Sequence, residues 1–567
     1  MKKFLLLGLT ALFLASCGNS SKTTSSSKSP QISSESSSIS SEESVSSSMI
    51  SSIEESSESI VESSESKIES YKESELSSLE ESSDIESSEE SSKLSSESKT
   101  ESSEISSEIS SESSSEISSE ESVSSESIIS SEVIESSSEE KEDLLNPLDE
   151  PYIAKQYYLN HIGDIYSSWK EYRGKGVTIA VIDMGFNPYH EDFYYQDGTS
   201  KVSPLSASFS YTNKKVTTSV GVDKVVNMGE SHGTFCAGVA AAAVNGKGVA
   251  GIAPEATLML LKTDARPKSI CEAFRYAADN GAKVITISIG SYYNYVGDLV
   301  DDGSDLGTVF EAPVQYAYNK GVVVCSAAGN GGYDDPTEYT FPGATTHVIG
   351  AGGLAANSST ELWEGSSYNS SKQYQFCDVF APADGMFGCC HYDNKVYDGG
   401  WNGTSFASPI IAGAAALYFE KYPNNTNQNF ETDLFNSCVK LNSSKIATVN
   451  QTGYGRIDIG ALLGTKCTDK VTIKVQSNWN TNYLYIWNSI SGKALSSWPG
   501  KSLTKKNGYL ELEVDLASYD SVIVTKSNSG PQSADLLLSS LNYDHYYSMN
   551  STVSENGFLL GKYLPIS

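Results

Sequence analysis

Between residues 177 and 326 the chain alternates short apolar runs with longer segments of helical character. The runs 177–182, 258–262, 284–289 and 322–326 place apolar and β-branched residues at consecutive positions, the pattern of strands buried on both faces. The segments from His232 onward, 269–280 before Gly281, and 309–320 before Gly321 read as helices ended by glycine. Such alternation predicts an α/β fold, a doubly wound parallel sheet with helices on both faces. Beyond Cys467 the period shortens to two in 470–475, 483–487, 508–514 and 521–525, which predicts a separate all-β sandwich. Before about residue 145 neither period is present. Isolated Ile, Val and Leu stand too far apart among Ser and Glu to bury a core, so a long disordered linker is expected.

Charge separates the same regions. Residues 21–140 hold 30 acidic and 6 basic residues, a balance of −24 out of the chain's −33, so the acidity belongs to the linker. A self-repelling tract of this kind reaches about 400 Å fully extended and about 60 Å as a flexible coil. No nucleic-acid partner is expected. At the start, Lys2 and Lys3 precede the apolar run 4–13 and then Leu14-Ala15-Ser16-Cys17. This is a signal peptide, too short for the ~20 residues of a membrane span, and it predicts export. The chain therefore divides into a signal (1–17), a linker (18–148), an α/β region (149–466) and a β module (467–567). Nine cysteines are present. Cys236 and Cys325 fall in tightly apolar segments and read as buried singles. Cys377, Cys389, Cys390, Cys438 and Cys467 lie in loops or near the end of the α/β region and read as disulfide candidates of an exported protein, with the pairing open.

Four polar residues sit where chemistry is easily built. Asp183 ends the strand 177–182 just before Gly185, and a carboxylate at the mouth of a buried strand needs a partner. His232 opens His232-Gly233-Thr234 ahead of a small-residue helix. Asn330 follows a strand through Ala327-Ala328-Gly329 and places an amide on a tight glycine loop. Ser405, in Asn402-Gly403-Thr404-Ser405, runs into the apolar segment 410–417, so its hydroxyl stands where unpaired N–H groups favour negative charge. Each has an ordinary reading alone: strand-end carboxylate, helix-start histidine, turn asparagine, capping serine.

In the order Asp183, His232, Asn330, Ser405, with these local motifs, the region resembles the subtilisin-like serine proteases, the subtilases. The resemblance implies a Ser-His-Asp peptide hydrolase. Ser405 would be the nucleophile, His232 the base, Asp183 its orienting carboxylate and Asn330 an oxyanion donor. Ser288, Gly290, Ala327 and Gly329 would wall the cleft for a peptide or protein substrate, with Tyr292 and Tyr293 closing it or packing. Phe235, Phe406, Ile410 and Met184 depart from residues common in the family, and Cys236 resembles a cysteine that one branch keeps beneath the histidine. The chemistry requires no cofactor and no metal. The turn 245–248 is shorter than a calcium loop of several relatives, so that site is expected to be missing, with calcium elsewhere unlocated. The residues before Cys17 resemble a bacterial lipobox, which implies diacylation of Cys17 and a place on the outer face of the cell membrane. No inhibitor-like propeptide is recognised before the α/β region. The β module resembles the starch-binding modules of bacterial amylases, which implies Tyr483, Tyr485 and Trp498 as stacking surfaces and Gln532 as a hydroxyl partner for an α-glucan. Against that stands the commoner use of an aromatic strand face as half of a sandwich core. A rival reading of the whole chain is a catalytically silent adhesin on a protease scaffold. A third is a processing protease dedicated to one exported partner.

Overall fold

The computed structural model describes residues 145–566 apart from 230, 293–305, 334, 336, 338, 339, 371–374, 445, 447, 448 and 556. Cys17 and Tyr293 lie outside the described residues, which all belong to one compact unit. Its centre is a nine-stranded sheet. The strands are β1 (Thr178–Asp183), β2 (Ala207–Thr212), β3 (Lys215–Val220), β4 (Thr257–Thr263), β5 (Val284–Ile287), β7 (Val323–Ala327), β9 (Val348–Leu354), β10 (Val379–Pro382) and β13 (Gly455–Arg456). They lie in the order β13-β10-β9-β7-β5-β1-β4-β2-β3, every neighbouring pair parallel except the β2–β3 hairpin. The short strands β6 (Ser291–Tyr292) and β8 (Thr340–Phe341) pair with each other, as do β11 (Met386–Cys389) and β12 (Tyr397–Trp401).

The period-two rule divides the core. In β1, Ile179 and Val181 join the cluster on one face, while Ala180 and Ile182 join the cluster on the other. The first face is covered by the helices His232–Ala241 and Ala407–Lys421, which are built from small residues because they approach closely. A Cβ at Gly413 would stand 2.5 Å from Ile252 Cβ and 3.1 Å from the Ala240 carbonyl oxygen. The second face is covered by Pro267–Asp279 and Glu311–Asn319. The predicted strands and helices are present within a few residues. The segment 309–320 differs in that Leu306–Val309 and Glu311–Asn319 are two helices.

The C-terminal strands form two separate four-stranded sheets. One has β14 (Lys470–Gln476), β17 (Leu510–Asp515), β20 (His545–Glu555) and β21 (Phe558–Pro565); the other has β15 (Tyr483–Trp487), β16 (Lys501–Ser502), β18 (Ser521–Thr525) and β19 (Leu536–Leu537). Ile473 and Val475 from the first and Leu484, Ile486, Val522 and Val524 from the second are buried in one cluster, which continues into the α/β region through Tyr166 and Trp169. The N-terminal arm ties the two regions together. Asn146 Nδ2 donates to the Tyr543 carbonyl (3.1 Å), Asp149 pairs with His545 Nε2 (2.9 Å), and the buried Glu150 carboxylate accepts N–H groups of Asn245, Gly246 and Gly248 at 2.6–2.9 Å.

The expected disulfides are not formed, for all eight described cysteines are free. Cys377 Sγ is spent on the Ser367 carbonyl (3.4 Å), Cys389 Sγ on Asp192 Oδ2 (3.7 Å), and Cys390 Sγ lies 3.3 Å from Ser231 Oγ. The loop that gathers them in sequence thus sends them into separate packing sites. Among the described residues no helix is long and apolar enough to cross a membrane.

Candidate active site

The carboxyl ends of β1, β5 and β7 converge where the sheet changes its order of winding, the usual place for a site in an open α/β sheet. Asp183 is the last residue of β1 and fully buried. Its Oδ1 accepts the Met184 N–H at 2.8 Å, and its Oδ2 lies 2.8 Å from His232 Nδ1. His232 reaches it because the first turn of its helix presses on the strand. A Cβ at Gly233 would sit 2.4 Å from the Gly185 carbonyl oxygen and 2.9 Å from Asp183 Cβ, so a residue without one is needed there.

Ser405 stands two residues before the helix Ala407–Lys421 and is 1% exposed. It is bracketed by the residue that follows β5: Ser405 Oγ donates to the Ser288 carbonyl at 3.2 Å, and Ser288 Oγ donates to the Ser405 carbonyl at 2.7 Å. Beneath lies Cys236, whose Sγ is 3.5 Å from the Ser405 carbonyl oxygen and 4.0 Å from His232 Nδ1. Burial pushes this thiol up, so it packs as a neutral group. Two of the departures from common family residues, Phe235 and Phe406, have a shared explanation. The Phe235 and Phe406 rings are 4.7 Å apart, Phe235 and Trp401 5.4 Å, and Phe406 and His232 5.9 Å, so aromatic rings back the imidazole.

Asn330 is the fourth member. Its Oδ1 accepts both the Thr404 N–H and the Thr404 hydroxyl at 2.9 Å, which fixes which way the amide points. Among the described residues its Nδ2 is then buried without a hydrogen-bond partner, a donor prepared at a cost. Gly329, with φ +118°, turns the chain so that its N–H also reaches Thr404 Oγ1 (3.1 Å). Thr404 is therefore the residue that orients the amide; its role was not read from the sequence, although it immediately precedes Ser405. The last paired residues of β5 and β7 are Ile287 and Ser326. Beyond them lie Ser288 and Gly290 on one strand end and Ala327 and Gly329 on the other; Gly290 is half-buried and the rest buried.

A second cluster of ligand-type residues lies apart from these. His190, Asp192 and Cys389 are buried with potential ligand atoms within 4.8 Å of one another. Protein groups already occupy them. Asp192 accepts Val249 N–H (3.0 Å) and the Tyr397 hydroxyl (2.9 Å), and burial pushes its carboxyl up to about 7. At the short turn 245–248 the Glu150 carboxylate is bound by backbone N–H groups, an arrangement that suits an anion.

In the β module the aromatic expectation is corrected in one respect. The buried side of β15 is Leu484 and Ile486, while Tyr483, Tyr485 and Trp487 face outward and half-buried, so they are not half of a sandwich core. Tyr485 stacks on Trp487 at 5.5 Å between centroids and meets Trp498 edge-on at 5.3 Å. Trp498 is 39% exposed, with its Nε1 donating to the Asn528 carbonyl at 2.9 Å. Gln532 bridges to Thr525, which pairs with Tyr483, so by register it lies on the aromatic face.

The profile of the Subtilase family matches residues 174–455. Thermitase of Thermoactinomyces vulgaris is 29% identical over 275 residues, 47% of this chain and 84% of thermitase. A subtilisin of Bacillus pumilus is 32% identical over 279 residues, 48% of this chain and 87% of its own length. Subtilisin NAT of Bacillus subtilis subsp. natto is 32% identical over 279 residues, with 63% of its own length covered. The chain belongs to the subtilase family and is a subtilisin-like serine peptidase. The family match ends before the two C-terminal sheets begin.

Proposed function

We propose that the protein is a cell-surface serine endopeptidase in which Asp183, His232 and Ser405 form the triad and Asn330 supplies an oxyanion donor. The observation that carries this is the buried Asn330 Nδ2 without a partner, set on the same cleft as the 2.8 Å Asp183–His232 pair. The Asp183 carboxylate keeps the proton of His232 on Nδ1, so Nε2 carries the lone pair. As Ser405 Oγ bonds to the substrate carbonyl carbon, its proton passes to His232 Nε2, and the carbonyl oxygen takes the electron pair beside Asn330 Nδ2. Collapse of this intermediate breaks the C–N bond, and Nε2 returns the proton to the leaving amine. Water, deprotonated by the same nitrogen, then releases the acyl group and restores Ser405. Nothing in these steps calls for a cofactor. The half-buried Gly290 lets an extended peptide lie against the slot wall as an added strand.

The surface placement rests on the sequence. Diacylation at Cys17 fixes the chain to the outer face of the membrane, two acyl chains being the signal that holds where one does not. The linker 18–148 carries the peptidase outward, ahead of a catalytic unit 149–466 and the module 467–567. The module's half-exposed aromatic face, with Gln532 in register, supports weak binding of an α-glucan through stacking of sugar rings on Tyr483, Tyr485 and Trp498.

A fluorophosphonate probe applied to the full chain tests the chemistry. Label mapped to Ser405 is expected; label on another residue, or none, removes the triad as assigned. Fractionation of Cys17→Ser cells tests the anchor, with release into the medium expected and wild-type retention in membranes counting against it.

A further inference from the structure

We propose that Tyr292 fills the primary specificity slot of the cleft and restricts the residue before the scissile bond to a small side chain. The inference rests on the peptidase reading above and adds to it the shape of substrate accepted. The slot's walls are Ser288 to Gly290 and Ala327 to Gly329, and Tyr292 follows the first wall by two residues on β6. Pairing of Tyr292 with Thr340 and of Ser291 with Phe341 fixes β6 against β8. Thr340 is itself tied to the second wall, donating its hydroxyl to the Ala328 carbonyl at 3.0 Å. From that fixed position the phenol ring crosses the gap, for Tyr292 Oη accepts the Asn330 N–H at 2.7 Å, at the far end of the second wall.

A side chain anchored beside one wall with its tip bonded to the other occupies the space between them. Around β8 the described residues pack tightly, since Phe341 is buried and a Cβ at Gly343 would stand 2.9 Å from the Ala327 carbonyl oxygen. An aromatic or long aliphatic substrate residue would have to displace the ring and break its bond to the Asn330 N–H, whereas alanine, serine or glycine fits beside it. The same bond gives Tyr292 a second consequence, because Asn330 carries the oxyanion donor. The hydroxyl is a positioning group for that loop, and the ring sets specificity.

The test compares the wild-type full chain, Tyr292→Ala and Tyr292→Phe on two chromogenic peptides that differ only in alanine or phenylalanine before the scissile bond. The wild type is expected to favour alanine in kcat/KM by at least about tenfold, in the range that a hydrophobic pocket achieves for side-chain size. Tyr292→Ala should raise the phenylalanine peptide relative to the alanine peptide by a similar factor or more. Tyr292→Phe keeps the ring and should leave the ratio within about a factor of two, while kcat on both peptides falls because the Asn330 N–H loses its acceptor. A general loss of fold or stability would lower both peptides together and could not move the ratio. Active enzymes with an unchanged ratio in Tyr292→Ala, or a wild type that prefers phenylalanine, would overturn the slot assignment alone. Hydrolysis of neither peptide by wild type or variants, with no fluorophosphonate labelling of Ser405, would remove the peptidase reading and the slot with it.

Discussion

Two aromatic clusters, one behind His232 and one on β15, use the same side chains for opposite ends. Phe235, Trp401 and Phe406 are at most 9% exposed and are closed in by the small-residue helices His232–Ala241 and Ala407–Lys421. Tyr485, Trp487 and Trp498 keep similar ring separations, 5.3 to 5.5 Å, yet face solvent, because Leu484 and Ile486 fill the inner side of the same strand. Ring-to-ring distance therefore says little about role, and what lies on the other side of the rings decides it. In the first cluster that neighbour is the His232 imidazole, itself 1% exposed. In the second it is open surface, where a flat apolar face is available to a ligand.

The comparison can be broken first at the serine, where the largest effect is expected. Ser405→Ala should lower turnover on the order of a million-fold with the melting curve unchanged, since a hydroxyl is removed without opening the core. Equal turnover in mutant and wild type on a denatured protein substrate would end the argument for the buried cluster's purpose. In that inactive background, which prevents self-digestion, Phe235→Ala should reduce unfolding stability by about 3–5 kcal/mol, measured by chemical denaturation. A loss under 1 kcal/mol would mean that the ring is not closed in. Asn330→Ala should slow turnover by about 10²–10³-fold, with Thr404→Val following in the same direction because the amide loses the hydroxyl that orients it. Unchanged turnover in Asn330→Ala would move the oxyanion donor to another group. The smallest stability effect should come from Trp498→Ala, within about 0.5 kcal/mol, together with loss of retention of the full chain on insoluble starch. A large stability loss without any retention by the wild type would make the second cluster structural after all.

Much of the site was legible because subtilase motifs are local. Asp183 at the end of an apolar strand, His232 before Gly233 and Ser405 before an apolar helix each carry their own backbone signature, and the fold sets both helix starts beside that strand end. The orientation of Asn330 was not legible. It depends on Thr404, 74 positions away, whose N–H and hydroxyl take the amide oxygen and leave the amide nitrogen without a partner among the described residues. The cysteines were misread for a related reason. Residues 389 and 390 are neighbours in sequence, but Cys389 points to Asp192 and Cys390 to Ser231, and neither direction can be read from spacing.

By itself the sequence determined the alternation of strand and helix, the concentration of acidic charge before residue 141 and the chain order Asp183, His232, Asn330, Ser405, because periodicity, composition and short motifs act within a few residues of each other. The tertiary structure decided which face of β15 is covered, which way the Asn330 amide points, that Glu150 occupies the turn 245–248, and that the Tyr292 hydroxyl takes the Asn330 N–H. Each of these depends on a partner from a distant segment, and a polar or aromatic side chain takes its role from what the packing leaves beside it.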